Sequence, residues 1–260
     1  MTLTRAAALL VLPWLMISCR TAKSVVAAVE VKPTSFLPHA SELKEDRKRS
    51  PFLGNWWSPD KRVQEAAAKV KNIYIAPVVA DELRPMRQVS AKMEFSQQRR
   101  DAKMENLLVY THEKFIRAFK SSKQPRFKVV DAPAKDAMTL KLSIIEWEPN
   151  TYSGLVVREA LDMAVPVPMT PLGSLIGKAA RPSIAIQGVL TEPRTGKSFF
   201  EFADKEETKM AVLFFFPNEL YPTGQAKYAI REWASQFEKL MSSPPDKRIR
   251  DSLPIQILIF

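Results

Sequence analysis

SIAIQGVLTEPRTGKSFFEFAD, residues 183–204, is the stretch whose reading decides the fold. Two runs rich in β-branched and aromatic residues flank Pro193-Arg194-Thr195-Gly196. Such side chains fit a pleated surface, and the glycine stands where a tight turn calls for positive φ. The stretch therefore reads as a β-hairpin. Upstream, MTLKLSIIEWEP (138–149) reads as a strand with Leu140, Leu142 and Ile144 facing one way and Lys141 and Ser143 the other. RFKVVD (126–131) and NIYIAPVVA (72–80) are shorter strands. In the latter, Ile73, Ile75 and Val79 are expected on one side and Tyr74 and Val78 on the other. Pro77 has no N–H to give a ladder, so this strand should lie at a sheet edge or end there.

Helical periodicity appears three times. KRVQEAAAKV (61–70) is a short run of good helix formers. Residues 92–120 place Met104, Leu108, Thr111, Phe115, Ala118 and Phe119 on one apolar stripe. Residues 225–241 do the same with Ala226, Ile230, Trp233, Phe237 and Leu240, while Lys227, Arg231, Glu232, Gln236, Glu238 and Lys239 fall mostly off the stripe. Thr223 is placed to cap that helix and Pro244-Pro245 to stop it. The terminal PIQILIF (254–260) reads as a last strand. The expected fold is α+β: a mixed, largely antiparallel sheet with two long amphipathic helices packed on one face. A single domain is expected over residues 61–260.

The N-terminus carries a different signal. After Arg5, residues 6–17 (AAALLVLPWLMI) hold no charge, and Ser18-Cys19 follow. A basic start, a short apolar run and a small residue at the cut describe a secretory signal peptide, here residues 1–18. The run is shorter than the roughly 20 apolar residues that a membrane span needs. Met16-Ile17-Ser18-Cys19 resembles the lipobox of bacterial lipoproteins, with Met where Leu is preferred. That resemblance implies lipidation of Cys19: a diacylglycerol on its sulfur, cleavage before it, and an acyl chain such as palmitate on the new amine. The absence of Asp at position 20 implies, by the same resemblance, the outer membrane, with the protein facing the periplasm. Residues 19–60 are then a lipidated tether and extended arm, whose Phe52, Trp56 and Trp57 are expected to dock on the domain.

Cys19 is the only cysteine, which excludes a disulfide framework. The formal charge is +11 and the pI about 9.7. For an exported chain the nearby polyanions are lipid headgroups, lipopolysaccharide phosphates and wall polymers; otherwise the basic surface has no dedicated ligand. No nucleic-acid signature accompanies the runs Arg47-Lys48-Arg49 and Arg99-Arg100, which read as solvated faces or envelope contacts.

Enzymatic patterns are sparse. GSLIGKA (173–179) departs from a phosphate loop twice, having three residues between its glycines and Ala179 in place of the hydroxyl. The two histidines, His39 and His112, sit far apart without metal-ligand spacing, and no G-x-S-x-G elbow occurs. Glu146 and Glu148 share a strand face, a spacing that could present two carboxylates for hydrolysis, although an adjacent pair facing solvent is the commoner reading. Met163–Gly177 is uncharged, but its prolines forbid a membrane helix, and a buried crossover is the plainer reading.

At SFLPHASELK (35–44), IYIAPVV (73–79) and IAIQGVLTEPRTGKSFF (184–200) the chain resembles an uncharacterised family of bacterial lipoproteins, domain of unknown function 3313. That family has a lipobox, an FL…L segment, an I-x-P-V strand and paired strands ending in a TGK- or TGE-like turn. The resemblance covers roughly residues 35–242 and transfers no catalytic residue. The function expected is a lipid-anchored, non-enzymatic envelope module with a protein or polymer partner, binding no cofactor and no nucleic acid. A hydrolase using acidic residues such as Glu146, and a structural tether to an anionic polymer, are the alternatives.

Overall fold

The computed structural model describes residues 31–46, 48–86, 97–149, 182–207 and 223–251. Cys19, residues 163–177, GSLIGKA and PIQILIF lie outside the described residues. The elements run β1 (Gly54–Trp57), α1 (Lys61–Lys69), β2 (Asn72–Ile75), α2 (Gln97–Lys120), β3 (Lys128–Val130), β4 (Ala137–Glu148), β5 (Ser183–Thr191), β6 (Ser198–Glu207) and α3 (Gly224–Ser242). The strands form one sheet in the order β1-β6-β5-β4-β2-β3. β1, β6, β5 and β4 pair antiparallel, and β2 pairs parallel with both β4 and β3. The fold is α+β, as the hairpin and the two long stripes imply.

The hairpin forms around Gly196, whose φ is +67°. The Gly196 N–H donates to the Glu192 carbonyl at 2.9 Å. The buried Glu192 carboxylate accepts from the Arg194 N–H (3.0 Å), the Thr195 N–H (2.8 Å) and the Thr195 hydroxyl (2.8 Å). Burial alone would raise its pKa, but these hydrogen bonds outweigh it and hold the group below the usual glutamate value. Inside the hairpin Gly188 is needed for space. A Cβ there would lie 2.8 Å from Leu142 Cδ2 and closer still to the Phe202 ring.

One face of the sheet carries α2 and α3, which run in the same direction. Leu140, Leu142, Ile144, Trp147, Ile186, Leu190, Phe200 and Phe202 meet Met104, Leu107, Phe115, Phe119, Ile230, Trp233 and Phe237 in one core. Phe237 is its hub, with ring centroids 5.9 Å from Phe115, 6.1 Å from Phe119, 6.3 Å from Phe200 and 5.3 Å from Phe202. Trp233 is fully buried, and its Nε1–H donates to Asp204 Oδ2 at 2.8 Å, so its polar atom is satisfied. The α2 stripe is centred on Leu107 rather than Leu108, which is half-buried. Thr223 sits at the N-cap of α3 but makes no side-chain cap bond. At the other end Arg126 donates to the carbonyls of Ala67 (3.0 Å) and Met241 (3.5 Å), closing the last turns of α1 and α3 together.

Pro77 ends β2 without putting it at an edge, since β4 and β3 flank it. The Ala76 N–H still donates to Leu140 O, but the next bond to β4 comes from Val79 to Leu142 O. One residue has been looped out, because proline has no donor. The slip reverses the expected alternation: Val78 is buried with Ile73 and Ile75, and Val79 is only half-buried.

The opposite face is not left to water. Residues 31–43 lie across it, with Leu37 packed on Val189 and Ala203 and with Phe36, Ala40 and Leu43 beside them. Gln187 Oε1 accepts from the Thr34 N–H at 3.1 Å, and its Nε2–H donates to Thr34 Oγ1 at 2.5 Å. The Glu201 carboxylate accepts from the His39 N–H at 2.9 Å and lies 2.7 Å from His39 Nδ1. The arm explains why Ser143, on the face expected to be polar, is buried. Two of its aromatics dock on the sheet as expected, Phe52 stacking on Phe202 (4.4 Å) and Trp57 packing on Phe200 (4.1 Å). The Trp56 ring instead stays with the arm, stacked on His39 (3.6 Å) and donating to Glu42 (3.0 Å). The arm enters the fold from residue 31 onward and supplies β1.

Candidate functional site

The two carboxylates that offered the best chance of catalysis are separated by their surroundings. Between Ile144 and Glu146 the β4–β5 register shifts, so Ile145 forms a bulge. Beyond it Glu146 meets Lys205 Nζ at 2.6 Å, Ser183 Oγ at 2.8 Å and Arg84 Nη1 at 3.4 Å. Arg84 also donates to the Lys32 carbonyl of the arm. Glu146 thus fastens β4, β5, β6, the segment after β2 and the arm. Glu148 is buried beside Arg100 and lines a cavity of about 20 Å³, room for roughly one water, whose described lining does not include Glu146.

Two of the sequence-marked cations have structural duties, while Lys48 and Arg99 are exposed as expected. Arg100, expected on a solvated face, is 2% exposed, and its Nη2 donates to the carbonyls of Arg84 (2.7 Å) and Trp147 (3.3 Å). Burial lowers its pKa, against the opposing pull of Glu148 and Asp101. Arg49 lies over the Trp57 ring at 4.8 Å. Arg47 lies outside the described residues. The histidines are apart as well: His39 is held by Glu201 and Trp56, while His112 Nε2 sits 2.9 Å from the Ile75 carbonyl.

The open concavity lies elsewhere, between the outer surfaces of α2 and α3. This groove has a volume of about 820 Å³, within the range typical of ligand clefts. Its floor is set by small side chains, among them Ala118, Ser121, Ala234 and Ser235. Among the described residues its rim carries five cations, Lys114, Arg117, Lys123, Arg231 and Lys239, against the one carboxylate of Glu238. Glu238 is buried and accepts from Ser242 Oγ at 2.8 Å. None of the five cations pairs with a carboxylate among the described residues. Toward the N-terminal end of α3 the basic surface gains an aromatic. Tyr110 lies with Lys114 Nζ 4.8 Å and Lys227 Nζ 5.2 Å from its ring centroid. Burial raises the Tyr110 pKa, and Arg231 pulls against it.

Helix geometry assembles this groove. The apolar stripes turn Phe115 and Phe119 on α2, and Phe237 on α3, into the core. Residues between them in sequence therefore point outward, along the line where the helices meet. The off-stripe assignment of Arg231 and Lys239 was readable from sequence. Their meeting with Lys114, Arg117 and Lys123 was not, because nothing local specifies which helices become neighbours.

With this geometry in hand, a family model described as "Protein of unknown function (DUF3313)" matches residues 32–237. The chain belongs to that family. The DUF3313 match begins at the sheet-covering arm and ends in the last helix, so it contains the Glu146 cluster and four of the five groove cations, Lys239 lying just beyond it. A search of curated proteins found no match. Among solved structures, a PelC dodecamer from Paraburkholderia phytofirmans is similar at 10% identity and TM-score 0.34, covering 65% of this chain and 88% of that one. A point variant of the same dodecamer gives 9% identity and TM-score 0.33, covering 65% and 87%.

Proposed function

We propose that this protein is a non-enzymatic, lipid-anchored module of the cell envelope that holds an anionic partner. The observation that supports the reading is the α2–α3 groove, open and rimmed by five cations without carboxylate partners among the described residues. The hydrolase alternative has less support, because Glu146 is already engaged by Lys205, Ser183 and Arg84. An acid or base for hydrolysis needs a titratable oxygen free to reach substrate. The anchor in this proposal is lipid on Cys19, within the lipobox-like Met16-Ile17-Ser18-Cys19, with the outer membrane facing the periplasm as the address. One acyl chain gives marginal membrane residence, whereas two or more hold a protein stably. A structural tether to an anionic polymer differs from this reading only in its occupant, and a protein partner with an acidic surface would use the same groove.

Cys19→Ser tests the anchor. The substituted protein should remain unprocessed or turn up in the soluble fraction, while mass spectrometry of the native protein should find an acylated N-terminal cysteine. An unmodified native N-terminus at another residue rejects the anchor, and recovery with the inner membrane rejects the address.

A further inference from the structure

Charge density in the groove narrows the ligand class. The helix macrodipole accounts for some of the cations, since Arg117 and Lys239 sit in the last turns of α2 and α3, where positive charge is favoured. It does not account for Lys114 or Arg231, which are further from the helix ends, nor for Lys123, which follows α2. Arg231 is exposed, with no ion pair among the described residues, and its guanidinium lies over Tyr228 at 5.6 Å. Like charges on facing helices repel, so these side chains raise the energy of the empty groove and lower it only when an anion enters.

We propose that the α2–α3 groove binds a ligand carrying at least two phosphate groups, with Arg117 and Arg231 gripping it from opposite helices. This rests on the binding-module reading above and names its ligand. Five cations against one buried carboxylate leave four positive charges in about 820 Å³. A phosphate monoester carries about −1.5 to −2 at neutral pH, so two of them match the groove, whereas carboxylates would have to be packed four deep. Guanidinium groups give phosphate two parallel hydrogen bonds, and lysines add mobile point charges around them. The small floor at Ala118 and Ala234 leaves depth for the phosphates. Tyr110, between Lys114 and Lys227, offers an apolar face beside them for a sugar or glycerol portion. Such phosphates occur both on lipid headgroups and on free polymers, and the chemistry of recognition is the same.

The test uses the chain from residue 20 onward, which contains every described element and carries no acyl chain. Its binding is measured to inorganic polyphosphate, to phosphatidylcholine vesicles with and without a bisphosphorylated lipid, and to polyglutamate at matched charge. Both phosphate probes should bind, polyglutamate more weakly, and raising salt should weaken all of them. Arg117→Glu with Arg231→Glu should reduce phosphate binding roughly tenfold or more, with the fold retained and the melting temperature lowered by no more than a few degrees. Arg117→Gln with Arg231→Gln should give a smaller loss in the same direction. Lys61→Glu with Lys135→Glu, exposed and outside the groove, should leave binding near its original value. Binding to the doped vesicles alone, or to polyphosphate alone, supports the groove and identifies which source it takes. Equal binding of polyglutamate, or equal loss in the off-groove variant, overturns the proposal, because general positive charge would then suffice. Release of phosphate from a bound probe would reject the non-enzymatic reading while leaving the groove standing.

Discussion

Lys205 and Arg231 carry the same charge in opposite circumstances. Lys205 stands 2.6 Å from Glu146 at the end of the sheet, with both side chains 13% exposed. Arg231 stands on the outer surface of α3, exposed and without a carboxylate partner among the described residues. Around Glu146 two cations, Lys205 and Arg84, share one carboxylate, and the cluster joins five segments of the chain. Around the groove none of the five cations touches a carboxylate among the described residues, and they join nothing. Charges that hold a fold are engaged by an opposite charge within it, whereas charges left unengaged in a concavity are available to something else.

The largest expected effect lies in the core on which both regions depend. Trp233→Ala removes a fully buried ring and leaves Asp204 Oδ2 without that donor. It should cost about 3–5 kcal/mol in denaturant melts. A loss below about 1 kcal/mol would mean that α3 is not held against the sheet, and the groove would lose its second wall. Next comes the matched cluster. Glu146→Ala leaves Lys205 and Arg84 facing each other without their carboxylate, and should cost about 2–3 kcal/mol. Phosphate binding retained in refolded Glu146→Ala would support a structural role for this carboxylate. The smallest effect is expected at the groove. Lys114→Gln with Arg231→Gln should change stability by no more than about 0.5 kcal/mol, in either direction. A loss above about 1 kcal/mol in the same melts would break the comparison, since these cations would then be serving the fold.

The legible parts of this molecule were those specified by neighbours in sequence. The hairpin was readable because Pro193 to Gly196 make one kind of turn and the flanking residues one kind of strand. The last helix was readable because Ala226, Ile230, Trp233, Phe237 and Leu240 recur at its period. Val78 and Val79 exchanged places because alternation carries on through a proline only on paper: the missing donor costs the strand one residue of register. β1 was missed, since Gly54–Trp57 has no alternation of its own and becomes a strand by pairing with β6. The burial of Arg100 was also hidden, because its partners are backbone carbonyls from two other segments. The groove is the extreme case. Its residues come from two segments distant in the chain, and each one taken alone looks like a solvated helix face.

The clasp between the arm and the back of the sheet has a mechanical side. A pull on the chain from before residue 31 meets its attachments one at a time. The Lys32 carbonyl on Arg84 is reached first, then the Thr34–Gln187 pair, then His39 on Glu201, then the backbone bridge from Lys44 to Asn55. Each must give way before the next is loaded, so the arm unzips rather than shears, and the force at any moment is borne by one or two hydrogen bonds. The Thr34 and His39 links end on different strands, β5 and β6, in the middle of the sheet. Tension on the arm would therefore be spent in small steps along it before it reached the strands that carry the two helices.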